Sequence, residues 1–358
     1  MARRNRGHST LVRVNRRIVT IVAALVPIVV LCVIGSTVRV PFVALGPGPT
    51  FNTLGNVDID GKSTPVVDIQ GTQLDPTAGH LNMTTVSVRD DLTVFEALGL
   101  WASGSQGLVP RDEVYAPGKS REQIDKQNTA EFQGSEADAE SAALRYLKYP
   151  FVATVGGVSQ SGPAQGKLET GDELVQVDGA PVATSDQVQA VMKDTKPGQQ
   201  IPVVYRRKGV EGATSITLAP GPDPKDSKGV MGIVLADRPQ VPFTVDFNLA
   251  NIGGPSAGLM FSLAVVDKLS PGELNAGKFV AGTGTIDPDG QVGPIGGIEY
   301  KMRAARDAGA TVFLVPADNC SVAKQTAPQG LSLIKVDSLS SAIAGLGDYT
   351  TGKPVPQC

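Results

Sequence analysis

Gly253-Gly254-Pro255-Ser256-Ala257-Gly258 stands directly ahead of an apolar run, and Gly293-Pro294-Ile295-Gly296-Gly297-Ile298-Glu299-Tyr300-Lys301 stands ahead of a second run that places Ala304, Ala305 and Ala308 on a small-residue face. Pro255 suits a first helical turn, which puts Ser256 where backbone amides lack intrahelical partners. A hydroxyl there faces a ready-made pocket for a developing oxyanion, with the backbone at Gly254 and Ala257 as candidate donors. The glycines keep bulk away from an approaching substrate backbone. Taken alone, Gly-Pro-Ser is more often a helix cap than a nucleophile. Lys301 shifts that balance. In the first turn of the second helix its charge opposes the helix dipole, and dipole and burial together lower its pKa towards the range where a neutral amine can take a proton from serine.

The rest of the composition leaves few competitors. Only two histidines occur among 358 residues, His8 and His80, so a His-rich metal site cannot be built and a Ser-His-Asp triad would have to use His80. His80, in Thr77-Ala78-Gly79-His80, reads as a surface or hairpin residue. Three cysteines exclude a Cys-rich zinc module and a disulfide-dense scaffold. No metal or cofactor is called for. A net charge of −3 argues against a generally basic nucleic-acid binder. Chemistry must therefore come mainly from Ser, Thr, Lys, Asp and Glu. Around the two quoted stretches, residues 240–350 alternate strand-like and helix-like runs, an α/β or α+β pattern.

The two ends of the chain differ in sign. Residues 1–17 hold six arginines and no acid, and Ile18 to Val38 are 21 residues without a charge, roughly 31 Å as a helix. Removing the six arginines leaves 26 basic against 35 acidic residues beyond the span, a net of −9. A basic flank inside predicts a cytoplasmic tail (1–17), a single transmembrane helix (18–38) and residues 39–358 outside the plasma membrane. A cleaved signal peptide and a buried core helix are the alternatives. The long run, and the lack of an Ala-x-Ala site near Gly35-Ser36-Thr37, favour an uncleaved anchor. Cys32 falls in the span, whereas Cys320 and Cys358 fall in the exported part, where they are predicted to pair and tether a short tail, 351–358.

Residues 39–148 read as a juxtamembrane linker (41–56, rich in Pro and Gly) and an extracytoplasmic α/β segment. In it, Val66–Ile69 and Leu81–Val88 suggest a hairpin, and Asp90-Asp91 caps a helical run from Leu92 to Trp101. Residues 119–148 suggest one or two solvated helices with Leu144, Tyr146 and Leu147 inward. No chemistry is read in 57–148. Residues 149–220 change character. Tyr149-Pro150-Phe151-Val152 leads into a strand, and Leu168-Glu169-Thr170-Gly171-Asp172-Glu173-Leu174 and Val175-Gln176-Val177-Asp178-Gly179 follow. A helix from Ser185 to Lys193 then carries Val188, Val191 and Met192 on one face. This unit resembles a PDZ domain of the bacterial type. The resemblance implies a groove taking an extended peptide as an added strand, lined by Tyr149, Phe151, Val152, Val188 and Met192, with Pro150 removing one loop amide. Residues 221–239 read as a linker.

Residues 240–350 closely resemble the proteolytic domain of Lon-type proteases. The matched motifs are Gly254–Gly258, Thr283-Gly284-Thr285-Ile286 and Pro294–Lys301, continued by Ala304–Ala310 and Val312–Pro316. The resemblance makes Ser256 the nucleophile, Lys301 the general base and Thr283 the hydroxyl orienting the lysine. One departure is Gly253, where many Lon domains have an acid. The ATPase half of Lon is not matched: Gly272 to Lys278 mimics a phosphate loop, but Phe279 follows in place of the Ser or Thr that magnesium needs. Anchor, PDZ-like and Lon-like parts together resemble the bacterial membrane-anchored PDZ/Lon-domain proteases. The expectation is thus an α+β multidomain chain and an ATP-independent serine endopeptidase acting on unfolded or short extracytoplasmic polypeptides, with hexamers implied by the resemblance. A peptide-binding adaptor with an inactive Lon-like domain is the competing reading. A hydrolase based on His80 is remote.

Overall fold

The computed structural model describes residues 16–104, 106–115, 118–221, 228–250 and 252–358, so most of the basic tail predicted at 1–17 lies outside the described residues. Nine α-helices occur among them: α1 (Arg16–Thr37), α2 (Val94–Ser103), α3 (Arg111–Val114), α4 (Arg121–Tyr146), α5 (Ser185–Met192), α6 (Gly258–Leu269), α7 (Ile298–Asp307), α8 (Cys320–Thr326) and α9 (Leu339–Thr350). The chain divides into two compact units, one of residues 1–49 and 86–124, the other of 50–85 and 125–358.

In the first unit, Val19–Thr37 of α1 has a mean hydropathy of 2.7 and is long and apolar enough to cross a membrane. The stretch read as an extended linker at 41–56 is largely a strand, Phe42–Asn52, whose start pairs antiparallel with Gly107–Pro110. Pro47 and Pro49 sit two residues apart and so remove donors from one strand edge only. A small core gathers Ala44, Leu92 and Ala97. Thr93, rather than Asp90-Asp91, caps α2, in a reciprocal capping box with Glu96. Asp90 is occupied otherwise, bound by Arg111 (3.2 Å) and Arg121 (2.7 Å).

The second unit holds two large sheets and several two-stranded ones. One of the large sheets is mixed, and its parallel part runs Ser332–Val336, Val312–Pro316, Phe279–Gly282 and then the start of His80–Arg89. Against it packs α6, apolar on nearly every side and buried from Gly258 to Lys268, as a helix enclosed by core must be. Phe132, Ala139, Ala142, Ala143 and Leu144 of α4 join the same core, while Tyr146, expected inward, is 39% exposed. Val67–Gln70 pairs with Thr244–Phe247. Residues 57–148 therefore supply two strands and a helix to the domain that sequence reading begins at 240. His80–Arg89 joins by parallel pairing, in which neighbouring strands need not be adjacent in the chain, and Val67–Gln70 pairs antiparallel. The C-terminal tail is tied by a Cys320–Cys358 disulfide and by the Lys335 amide donating to the Pro356 carbonyl at 2.9 Å.

The other sheet runs Val210–Thr217, Gln200–Arg207, Glu173–Val177, Phe151–Val158, Ile233–Pro239. Ala153, Val155, Leu174, Val177, Val188 and Ile201 are part of its core. The last strand corrects the reading of 221–239 as a linker. Ile233–Pro239 pairs antiparallel with Phe151–Val158, from Ile233 opposite Val158 to Pro239 opposite Phe151. Residues 222–227 of that stretch lie outside the described residues.

Candidate active site

Ser256 is half-buried on the loop that enters α6. The helix begins at Gly258 with Ala257 as N-cap, later than Pro255 suggests. The reason is visible in the Ser256 carbonyl. It is drawn off the helical path by two donors, the Thr283 hydroxyl and the Gly284 amide, both at 3.0 Å. Gly254 turns the chain ahead of the serine at φ +83°, a conformation that favours glycine. Its amide donates to the Asn128 carbonyl at 3.0 Å, so Gly254 is not a free oxyanion donor. The amides of Ser256, Ala257 and Gly258 find no acceptor among the described residues.

Lys301 approaches from the first turn of α7, which follows Gly297 in the left-handed region. Its side chain is 3% exposed, and its Nζ lies 2.7 Å from Ser256 Oγ, 3.0 Å from Thr283 Oγ1 and 3.1 Å from the Thr84 carbonyl oxygen. Burial disfavours the ammonium form and pulls the Lys301 pKa down to about 7. Proton counting gives the arrangement a direction. Thr283 donates its hydroxyl hydrogen to the Ser256 carbonyl, so its oxygen accepts from Lys301. A neutral amine has two hydrogens, and the Thr84 carbonyl and Thr283 Oγ1 take both. The remaining lone pair faces Ser256 Oγ and can accept its proton. His80 opens the strand four residues before Thr84, about 13 Å away along it, and stacks on Phe279 at 4.4 Å between centroids.

Residues 250–344 match the model of the Lon protease (S16) C-terminal proteolytic domain, and residues 128–218 match a PDZ domain model. The chain carries a PDZ domain and a Lon proteolytic domain. A Lon protease of Heliobacterium modesticaldum is 44% identical over 66 residues, 18% of this chain and 8% of that protein. Lon protease 2 of Bacillus subtilis is 26% identical over 198 residues, 54% of this chain and 33% of that protein. The matches thus span a third or less of these relatives' length. The PDZ domain of an SdrC-like protein from Listeria monocytogenes is 24% identical, over 24% of this chain and 86% of that one, with a TM-score of 0.22. The Lon domain and its relatives support a serine protease.

Of the five residues expected to line a groove in the PDZ domain, Val188 and Met192 line a cavity. It has a volume of about 330 Å³ and is lined by Val188, Gln189 and Met192 of α5 and by Gly229–Ile233 and Leu235. Tyr149, Phe151 and Val152 do not line it. Phe151–Val158 has strands on both sides and so no edge to offer a peptide. Phe151 lies buried beneath the Arg145 guanidinium, and Tyr149 packs edge-on against Phe243. The sheet's edges are Val210–Thr217 and Ile233–Pro239, and it is Ile233–Pro239, beyond the stretch matched by the PDZ model, that shares the cavity with α5.

Sequence reading also missed α4 as a wall of the Lon domain's site. Besides the Asn128 carbonyl, it supplies Ser135, whose hydroxyl donates to the Pro255 carbonyl at 3.0 Å. A side chain at 253 would meet Asn128 Cβ at 2.8 Å, which favours glycine there. Beside α4 opens a cavity of about 730 Å³, lined in part by Asp125, Phe132, Glu136, Phe247 and Ile252. Burial pushes the Glu136 carboxyl up to about 7. No sequence signal marked these residues, because helical periodicity records burial and not what a helix faces.

Proposed function

We propose that the protein is a membrane-anchored, ATP-independent serine endopeptidase in which Ser256 is the nucleophile and Lys301 the general base. The observation that carries this reading is the buried Lys301 amine, its two hydrogens committed elsewhere and its lone pair 2.7 Å from Ser256 Oγ. Lys301 takes the Ser256 proton as Oγ attacks the scissile carbonyl carbon. The tetrahedral oxyanion is held by free amides at Ser256–Gly258, a group that keeps Ala257 and omits Gly254. Lys301 then returns the proton to the leaving amine. Water, deprotonated by the same lysine, releases the acyl group. Thr283 orients the lysine throughout.

Substrate segments are flexible polypeptides that lie in the cavity beside α4, and the edge of Ile233–Pro239, with Val188 and Met192 opposite, takes an extended peptide as an added strand. Residues 272–278 precede a strand and not a helix, which fits a nucleotide-independent enzyme. The arginine-rich start and the acidic remainder support a single-pass anchor with the catalytic domain outside the plasma membrane. The test is cleavage of a quenched unfolded substrate by the full chain in detergent, without nucleotide. Ser256→Ala and Lys301→Ala should abolish cleavage and His80→Ala should spare it. Cleavage that survives Ser256→Ala would instead leave a peptide-binding adaptor with an inactive Lon domain.

A further inference from the structure

Helix α2 wears its apolar face outward. Phe95, Leu98 and Trp101 are 49%, 54% and 69% exposed, and Gly99 and Ala102 complete a surface stripe without a charge. The opposite face is already occupied, with Ala97 in the small core beside Leu92 and Ala44 and Leu100 packed against it. A solvated helix carries polar residues on its outer face, so this one is inverted for water.

Its position names what covers it. The amide of Val94 donates to the Val38 carbonyl at 3.2 Å and that of Val40 to the Leu92 carbonyl at 2.9 Å, which ties the start of α2 to the end of α1. Within Val19–Thr37, Gly35 is the one buried residue, and the Phe95 ring covers it so closely that a Cβ there would fall 2.4 Å from the ring. Phe95 is thus level with the last turn of the apolar span, about 3 Å from its end at Thr37. That is the depth at which aromatic side chains collect in membrane proteins.

We propose that the Phe95–Leu98–Trp101 face of α2 docks into the lipid surface at the C-terminal end of α1, as an interfacial helix beside the anchor. The proposal rests on α1 spanning a membrane. Docking buries the stripe in the headgroup and upper acyl region, and Trp101 lies there with its indole N–H free to meet interfacial water.

Trp101 is the sole tryptophan of the chain, so its fluorescence reports this face alone. The full chain is reconstituted in vesicles of phosphatidylcholine and phosphatidylglycerol, with and without bromine on the upper acyl carbons. Trp101 emission should fall by about half in brominated vesicles, with little quenching by aqueous iodide. Leu98→Ser should at least halve the bromine effect while the chain still floats with the vesicles. A floating chain whose Trp101 is open to iodide and untouched by bromine overturns the docking and leaves the anchor standing. Shielding from both quenchers also overturns it, and assigns the face to a protein partner. A chain that does not float with vesicles overturns the anchor, and the docking with it.

Discussion

The site at Ser256 and the groove at Val188 and Met192 lie in the same compact unit, yet the sequence discloses them differently. Ser256, Thr283 and Lys301 come together in space because each sits in a short loop or a first helical turn whose residues are dictated locally. The groove depends instead on which strand lies at the edge of a sheet. Chemistry is a property of residue types in a motif, whereas strand order is a property of the whole topology.

The sharpest way to break this contrast is to remove the chemistry and keep the groove. Lys301→Arg keeps a cation but cannot give a neutral amine near neutral pH, so it should lose activity as fully as Ser256→Ala, by at least about 10³-fold. Both variants should still bind an unfolded peptide. In the wild type, kcat/KM should rise with pH through about 7, since burial lowers the Lys301 pKa and only its deprotonated form accepts the serine proton. A profile flat from pH 6 to 9 would count against Lys301 as base.

Thr283→Val comes next. It removes one acceptor for the lysine and one donor to the Ser256 carbonyl. A loss of about 10- to 100-fold in kcat is expected, with a shifted pH midpoint, because an acceptor hydrogen-bonded to the charged amine is gone.

The groove is tested by contrast. Met192→Glu places a carboxylate on the cavity wall and should weaken binding of an extended apolar peptide about 10-fold, while a short substrate is cleaved as before. Tyr149→Ala should lower the melting temperature through its lost packing on Phe243 and leave peptide affinity unchanged. If Tyr149→Ala weakened binding and Met192→Glu did not, the groove would belong at Tyr149–Val152 after all.

How much was legible follows the same division. The apolar helix within 18–38, the helix at Ser185 and the loops bearing Ser256 and Lys301 can all be read locally. The Thr84 carbonyl could not be read, because a backbone acceptor leaves no mark on residue type and its strand arrives from 217 residues before Lys301. Ile233–Pro239 alternates half-buried and exposed residues. It follows a Pro/Gly/Lys-rich stretch, however, and seven residues between two domains pass easily for a linker. Asp90 shows the opposite error. It has the composition of a cap, but two arginines distant in sequence claim it first.

The smallest expected effect concerns the α4 wall, and it separates holding the catalytic loop from tuning the base. Ser135 is 3% exposed and touches neither Ser256 Oγ nor Lys301; its hydroxyl holds the carbonyl of Pro255, one residue before the nucleophile. Ser135→Ala removes a hydrogen bond worth about 1 kcal/mol, which corresponds to a loss of roughly 5-fold if all of it serves to place the loop. The loss should fall on kcat with KM unchanged, and the pH midpoint should stay where the wild type has it, because nothing around the Lys301 amine has changed. A shifted midpoint would mean that α4 reaches the base through the loop. An unchanged kcat would mean that the Gly254 amide on the Asn128 carbonyl suffices to hold it.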